Sequence, residues 1–307
     1  MRRLALASVV ANSVIVVTGG AVRLTSSGMG CPTWPRCTDA TYTPTAEYAV
    51  HGVIEFGNRL LTFALTAVVV ALVVAVLRAR PRRRDHVRLA VAGALGIPAQ
   101  ALLGGVTVLT GLNPWTVMLH FLLSGVLIAL AVVLHQRTRE GDEPARPTVP
   151  PLLRRLSVGL LVLVGAVLAV GTVVTGSGPH SGDPAAGRTG LDPAAMSQLH
   201  ADLVLLLVGA TAGLWVAART VQATGPARAA LALLAVELGQ GFLGFAQYFT
   251  GLPVVLVGLH LAGACVVLVA AVHLVLSTRD RGPLPTAPVA ADVPAPPRTA
   301  PRSLART

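Results

Sequence analysis

Residues 102–121 read LLGGVTVLTGLNPWTVMLHF, and a closely related stretch, FLGFAQYFTGLPVVLVGLHL, follows 140 residues later at 242–261. Each copy has a Leu-Gly pair near its start, Thr-Gly-Leu at its centre and a Leu-His pair near its end. The shift also superposes Gln100 on Gln240. It therefore predicts an internally duplicated chain in which His120 and His260 lie at the same depth. A repeated imidazole of this kind indicates a pair of metal or haem sites.

The composition around this repeat is that of a membrane protein. Of 307 residues, 53% are hydrophobic and only 12% are charged, and the mean hydropathy is +0.71. A hydrocarbon layer of about 30 Å requires roughly 20 apolar residues per helix. Strands of a membrane barrel would alternate in polarity, and these segments do not. Eight apolar, Gly-interrupted segments are long enough, at about 4–22, 52–77, 89–109, 115–134, 155–175, 199–217, 228–249 and 254–276.

The basic residues predict the orientation of these spans. The first span follows Arg2 and Arg3 but lacks a small-x-small cleavage site, so it is interpreted as a retained helix. Arginines are abundant in alternate loops and scarce in the others, which predicts a plasma-membrane protein with both termini in the cytoplasm. The net charge of +11 is attributed to this bias and to attraction by anionic lipid, and not to nucleic-acid binding. The arginines assigned to the cytoplasmic side are 2, 3, 78, 80, 82, 83, 84, 88, 137, 139, 146, 154, 155, 219, 228, 279, 281, 298, 302 and 306, against 23, 36 and 188 outside.

Four spans per half is an even number, so both halves insert the same way up. We therefore expect an all-α membrane protein made of two four-helix bundles related by a pseudo-twofold axis along the membrane normal. The N-terminal bundle is placed at 1–136, a cytoplasmic linker at 137–153 and the C-terminal bundle at 154–278. The Pro-, Ala- and Arg-rich residues 279–307 are predicted to be a disordered cytoplasmic tail.

Three histidines are placed near the outer surface by this topology. His200 opens the sixth span, and His260 is near the start of the eighth, so the two could ligate one haem iron from opposite sides. His120 has the equivalent place in the first half. The alternative for any single one of them is an interfacial side chain hydrogen-bonded to a neighbour. His135, His273, His86 and His180 are interpreted as interfacial or loop residues.

The second span begins HGVIEFGNR (51–59), where Asn58 stands at the position that a counterpart of His200 would occupy. His51, Glu55 and Asn58 are spaced i, i+4, i+7 and share a helix face. A carboxylate at a membrane boundary is costly unless it is paired or functional. One interpretation is an ion pair between Glu55 and Arg59. The other is an acid that handles protons or orients a substrate beside a haem on His120.

Cys31 and Cys37 flank a stiff Pro-Thr-Trp-Pro-Arg segment in the first external loop. Outside the membrane, such a close pair is expected to form a disulfide, either structural or redox-active. Trp34 and two prolines suit this loop to cover a site.

These motifs together resemble the haem A synthase family, eight-helix membrane enzymes of cytochrome oxidase assembly. The resemblance covers about residues 4–276 and rests on GGAVRLTSSGMGCPTWPRC, IEFGNR, the two TGL-P…LH segments and VTGSGPHSGD. It implies an oxidoreductase that converts the C8 methyl of haem O to the formyl group of haem A. It also implies a haem b in the C-terminal half and the substrate haem in the N-terminal half.

Carried onto this chain, the resemblance makes His200 and His260 the axial ligands of haem b and His120 a ligand of the substrate haem. Glu55 matches the acid of the family's E-x-x-H-R motif, and Cys31 and Cys37 match its external cysteine pair.

Two features depart from the family. The histidine of E-x-x-H-R is Asn58, so the substrate iron is expected either to be five-coordinate on His120 or to take His51 as a second ligand. Residues 176–197 contain no second external cysteine pair.

Two other functions compete with haem oxidation. A bis-His cytochrome that passes electrons from quinol to an external acceptor explains the histidines but leaves Glu55 without a role. A transporter explains the duplication but not the histidines. Expected partners are haem O, membrane lipid and, as a candidate, haem O synthase, with no nucleic acid.

Overall fold

Eight long helices make up nearly all of the computed structural model, which describes residues 1–283. All eight predicted spans are confirmed as helices, most of them longer by several residues, and each is long and apolar enough to cross a membrane. They are α1 (Arg2–Leu24), α2 (Ala49–Arg78, preceded by a 3₁₀ turn at Ala46–Tyr48), α3 (Arg84–Leu109), α4 (Pro114–Arg137), α5 (Pro151–Ser177), α6 (Pro193–Thr220), α7 (Thr224–Phe249) and α8 (Val254–Ser277).

The Thr-Gly-Leu elements of the repeat form the same turn twice, between α3 and α4 and between α7 and α8. Gly111 and Leu112 have φ of +61° and +59°, and Gly251 and Leu252 have +79° and +61°. The amide of each leucine closes the turn by donating to a carbonyl in the last turn of the preceding helix, at 2.9 and 2.7 Å. Since glycine enters the left-handed region without steric cost, the motif fixes both helix–helix connections.

The order of packing follows the two predicted halves. In the first, α1 contacts α2 and α4, and α3 contacts α2 and α4; in the second, α5 contacts α6 and α8, and α7 contacts α6 and α8. The halves meet where α4 packs on α8, α1 on α8 and α4 on α5. This arrangement is compatible with a twofold relation, which stays a prediction, as does the orientation in the membrane.

The ends of the two halves that are predicted to face outward are also tied by polar contacts. Arg23, at the end of α1, donates to the carbonyls of His180 and Thr175 at 2.6 and 3.1 Å. The amide of Gly28 donates to the carbonyl of Gly182 at 2.9 Å. The short segments after α1 and α5 therefore hold each other in place.

At the opposite end, the predicted linker is joined to the start of the predicted tail. Strand β1 (Arg146–Pro147) pairs antiparallel with β2 (Arg279–Asp280). The tail prediction is therefore wrong for Arg279 and Asp280, because these residues pair with the linker's backbone. Residues 284–307 of the predicted tail lie outside the described residues.

Candidate functional site

His200 and His260 lie on α6 and α8, each about two turns from the end predicted to face outward. The hydropathy had predicted that α6 begins at His200. The helix begins at Pro193 instead, so His200 lies inside it. The structure thus places the two residues predicted to share an iron at a similar depth on two helices of the same half.

Each of these imidazoles lies against a glycine on the preceding helix. A methyl group added to Gly171 on α5 would come within 3.1 Å of His200 Cε1, and one added to Gly244 on α7 within 3.4 Å of His260 Cε1. The absence of a side chain lets each ring approach the neighbouring backbone closely, which restricts where the ring can turn.

The first half has the same arrangement. His120 on α4 lies against Gly104 on α3, where an added methyl group would be 3.1 Å from His120 Cε1. Asn58 on α2 faces Gly19 on α1. A methyl group added to Gly19 would lie 3.8 Å from Asn58 Nδ2. The side chain of Asn58 therefore occupies the kind of place that His200 occupies in the second half.

The hydrogen bonds separate these histidines from most of the others. Among residues 1–283, the buried Nδ1 atoms of His120, His200 and His260 have no hydrogen-bond partner. A buried imidazole that the protein leaves without a hydrogen bond is available to ligate a metal through a ring nitrogen. The donor set suits haem iron, which neutral imidazole commonly ligates. His135, near the other end of α4, also has an unpartnered Nδ1.

Other histidines are engaged by the protein itself. His51 Nδ1 lies 2.9 Å from Ser27 Oγ, His86 Nε2 lies 3.1 Å from the carbonyl of Arg137, and His180 Nε2 lies 2.9 Å from the carbonyl of Leu252. The contact of His51 ties its ring to the end of α1 through Nδ1 alone, so a role for Nε2 as the second iron ligand stays a prediction. The interpretation of His86 and His180 as structural residues agrees with these contacts.

Two glutamines support the helices that carry the histidines. Gln100 Nε2 donates to the carbonyl of His120 at 3.1 Å and to Ser124 Oγ at 2.6 Å. Gln240 Nε2 donates to the carbonyl of His260 at 2.9 Å. The repeat had matched these glutamines without assigning them a role; their position 20 residues before each histidine was the available signal.

Glu55 is buried and fully engaged. Its Oε2 accepts from the amide of Cys31 at 2.7 Å, and its Oε1 accepts from Arg59 at 2.6 Å. The ion pair considered from the sequence is therefore present. Arg59 also donates to the carbonyls of Cys31 and Thr33, so the pair holds the loop between α1 and α2 to α2.

The loop itself is closed by the disulfide between Cys31 and Cys37. Both half-cystines are almost completely buried. Trp34 packs so tightly on Gly105 of α3 that a side chain at Gly105 would collide with its ring. Because Gly105 adjoins Gly104, the loop covers α3 beside the position where His120 packs.

One further acid lies within the second half. Glu237 on α7 is 3% exposed, its Oε1 accepts from Thr211 of α6 at 3.0 Å, and its Oε2 is unpartnered among the described residues. The shift of 140 places Ile97 at the position of Glu237. The offset of 142 that pairs Asn58 with His200 places Val69 at the position of Thr211. Asp202 on α6 is exposed and bonded to Gln198.

Comparison with known proteins agrees with the resemblance seen in the motifs. The model of the COX15-CtaA family, described as cytochrome oxidase assembly protein, matches residues 2–180. A heme A synthase of Symbiobacterium thermophilum is 30% identical over 182 residues, covering 57% of this chain and 58% of that protein. One of Exiguobacterium sibiricum is 30% identical over 52% of this chain and 54% of its own length, and one of Halalkalibacterium halodurans 28% over 53% and 54%. The chain thus aligns with a little over half the length of the curated relatives it matches.

Proposed function

Because this chain belongs to the COX15-CtaA family of cytochrome oxidase assembly proteins, we propose that it is a haem A synthase of the plasma membrane with both termini in the cytoplasm. It would oxidise the C8 methyl group of haem O to the formyl group of haem A. The observation that carries the proposal is the set of three glycine-supported imidazoles whose buried Nδ1 atoms have no hydrogen-bond partner among residues 1–283.

In the second half, His200 and His260 would be the axial ligands of a haem b. Such a bis-imidazole centre supplies one-electron transfer when bound. Three residues of the chain position these imidazoles. Gly171 and Gly244 leave space for the rings, and Gln240 donates a hydrogen bond to the carbonyl of His260.

In the first half, His120 would hold the substrate haem on a single imidazole. Asn58 replaces the second ligand, and an amide side chain is a poor ligand for haem iron compared with imidazole. Since His51 lies seven residues before Asn58 on α2, about 10 Å away along the helix axis, we favour one protein ligand on the substrate iron.

Glu55 is proposed as the group that accepts protons released by the reaction. Conversion of a methyl group and water to a formyl group releases four protons and four electrons, so the site needs a proton acceptor and an electron exit. Protonation of Glu55 would remove its charge from Arg59 and weaken its bond from the Cys31 amide. Proton uptake would therefore loosen the loop that covers this half.

The test is the conversion itself. Cells that make haem O are made to express the chain, and haems extracted from the membranes are separated by chromatography. Formyl haem is expected with the wild type and with Glu47→Ala, a control that removes an exposed acid from the same end of the protein. Formyl haem should be absent with Glu55→Ala.

A bis-His cytochrome is the second candidate. The presence of Asn58 at the histidine position of the family's E-x-x-H-R motif favours it. In that case the same extraction would yield haem b and unchanged haem O from the wild type. Haem O synthase is the proposed supplier of the substrate; its copurification with this chain would support that partnership.

A further inference from the structure

A basic cavity of about 370 Å³ lies at the end of the first half opposite His120 and Asn58. It is bounded by the turn between α2 and α3, the first turns of α3, the end of α4 and the segment after α8. Arginine dominates its lining: 82, 83, 84, 88, 137 and 281, against Asp85 and Asp142.

Half of these arginines are neutralised within the protein. Arg83 pairs with Asp142, and Arg137 pairs with Asp85 and, at 2.8 Å, with Glu140. Arg281 lies 3.9 Å from the same Glu140. These pairs form the wall of the cavity and hold the end of α4 to the α2–α3 turn.

The other three arginines have no carboxylate within 4 Å in residues 1–283. They are Arg82, which donates to the carbonyl of Leu77, and the exposed Arg84 and Arg88. Arg84 and Arg88 are one turn apart at the start of α3, where the helix dipole already presents positive charge. Basic side chains are unfavourable there unless an anion compensates them.

The same face of α3 continues as an apolar stripe. Val91, Leu95 and Leu102 follow Arg88 at helical spacing and are 39%, 65% and 60% exposed. A free phosphate would use only the arginines. An amphiphile with a phosphate head and an acyl chain would use both the arginines and the stripe.

We propose that this cavity binds the phosphate group of an anionic phospholipid, with an acyl chain along the exposed face of α3. Arginine suits the purpose because its planar guanidinium can donate two parallel hydrogen bonds to phosphate. Shifting the sequence by 140 places Thr224 and Arg228 at the equivalent positions of the second half, so the arginine pair belongs to the first half alone.

The test is native mass spectrometry of the purified full-length protein titrated with phosphatidylglycerol or phosphatidylcholine. Arg84→Gln combined with Arg88→Gln should weaken phosphatidylglycerol binding by roughly thirtyfold, given the usual contribution of each arginine near a lipid head group. Arg154→Gln combined with Arg155→Gln removes the same charge from exposed positions at the start of α5 and should leave binding unchanged.

Equal loss in the two double variants would overturn the proposal, because it would show attraction by surface charge in general. Equal binding of phosphatidylcholine by the wild type would also overturn it. A third arm adds inorganic phosphate to lipid-free protein. If the binding of phosphate depends on Arg84 and Arg88 while the binding of phosphatidylglycerol does not, the cavity is a free-phosphate site and the lipid assignment is wrong.

Discussion

The two halves of this protein share one frame and differ at a few side chains inside it. Both have the Thr-Gly-Leu turn, a glutamine that holds the histidine helix, and a glycine beneath each imidazole. The second half places His200 at the remaining position, whereas the first places Asn58 there and adds Glu55, Arg59 and the disulfide loop. The proposed function therefore assigns two different sites to one repeated arrangement of helices.

The largest effect is expected from removing an imidazole of the second half. His200→Ala should abolish the low-spin haem b absorption of the purified protein, since one ligand cannot maintain bis-imidazole coordination. His180→Ala serves as the control, because His180 bonds the carbonyl of Leu252 and has no assigned role at the iron. Loss of the spectrum in both variants would indicate general misfolding.

The next effect concerns the acid present only in the first half. Glu55→Gln keeps an oxygen to accept from the Cys31 amide but loses the charge and the proton-accepting function. We expect formyl haem production to fall by about 10²-fold or more, with the haem b spectrum unchanged. Wild-type production by this variant would show that Glu55 serves only to hold the loop.

Asn58→His gives the first half a histidine at the position that corresponds to His200 in the second half. The new imidazole would face Gly19, as His200 faces Gly171. We expect haem bound in the first half to change from a high-spin to a low-spin spectrum and to be retained more tightly during purification. Asn58→Gln, which preserves the amide, should leave the spin state unchanged; a shift with both would contradict the assignment of this position.

The smallest effect concerns the buried pair Thr211 and Glu237. Thr211→Val alone should destabilise the protein by about 1–3 kcal/mol, because it leaves a second buried carboxyl oxygen without a partner. Adding Glu237→Ile recreates the apolar pair of Val69 and Ile97 and should recover most of that loss. Thermal unfolding in detergent measures both; a double variant less stable than the single one would show that Glu237 has a further role.

Hydropathy and the repeat were sufficient to predict all eight helices, because a membrane span has a fixed length and apolar composition. Helix ends were less accessible: Pro193 and the capping Asp192 start α6 well before the apolar run, so His200 lies inside the helix and not at its opening. The spacing of Glu55 and Arg59 indicated their ion pair as one of two interpretations of Glu55.

The contacts made across the chain could not be foreseen. Nothing in the local pattern shows that the amide of Cys31 reaches Glu55, or that Trp34 rests on Gly105. The glycines beneath the imidazoles also look like ordinary helix-packing residues until the helices are placed side by side. Arg279 and Asp280 were assigned to the tail because their composition resembles it, although their backbone pairs with Arg146 and Pro147.

The most direct measurement is a reciprocal haem inventory. His120→Ala and His260→Ala variants are purified from cells that make haem O, and the haems bound to each are identified by chromatography and counted per protein. The account predicts that His120→Ala retains haem b but loses haem O and haem A, while His260→Ala loses haem b. Loss of the same haem from both variants, or a wild type that carries no haem, would contradict it.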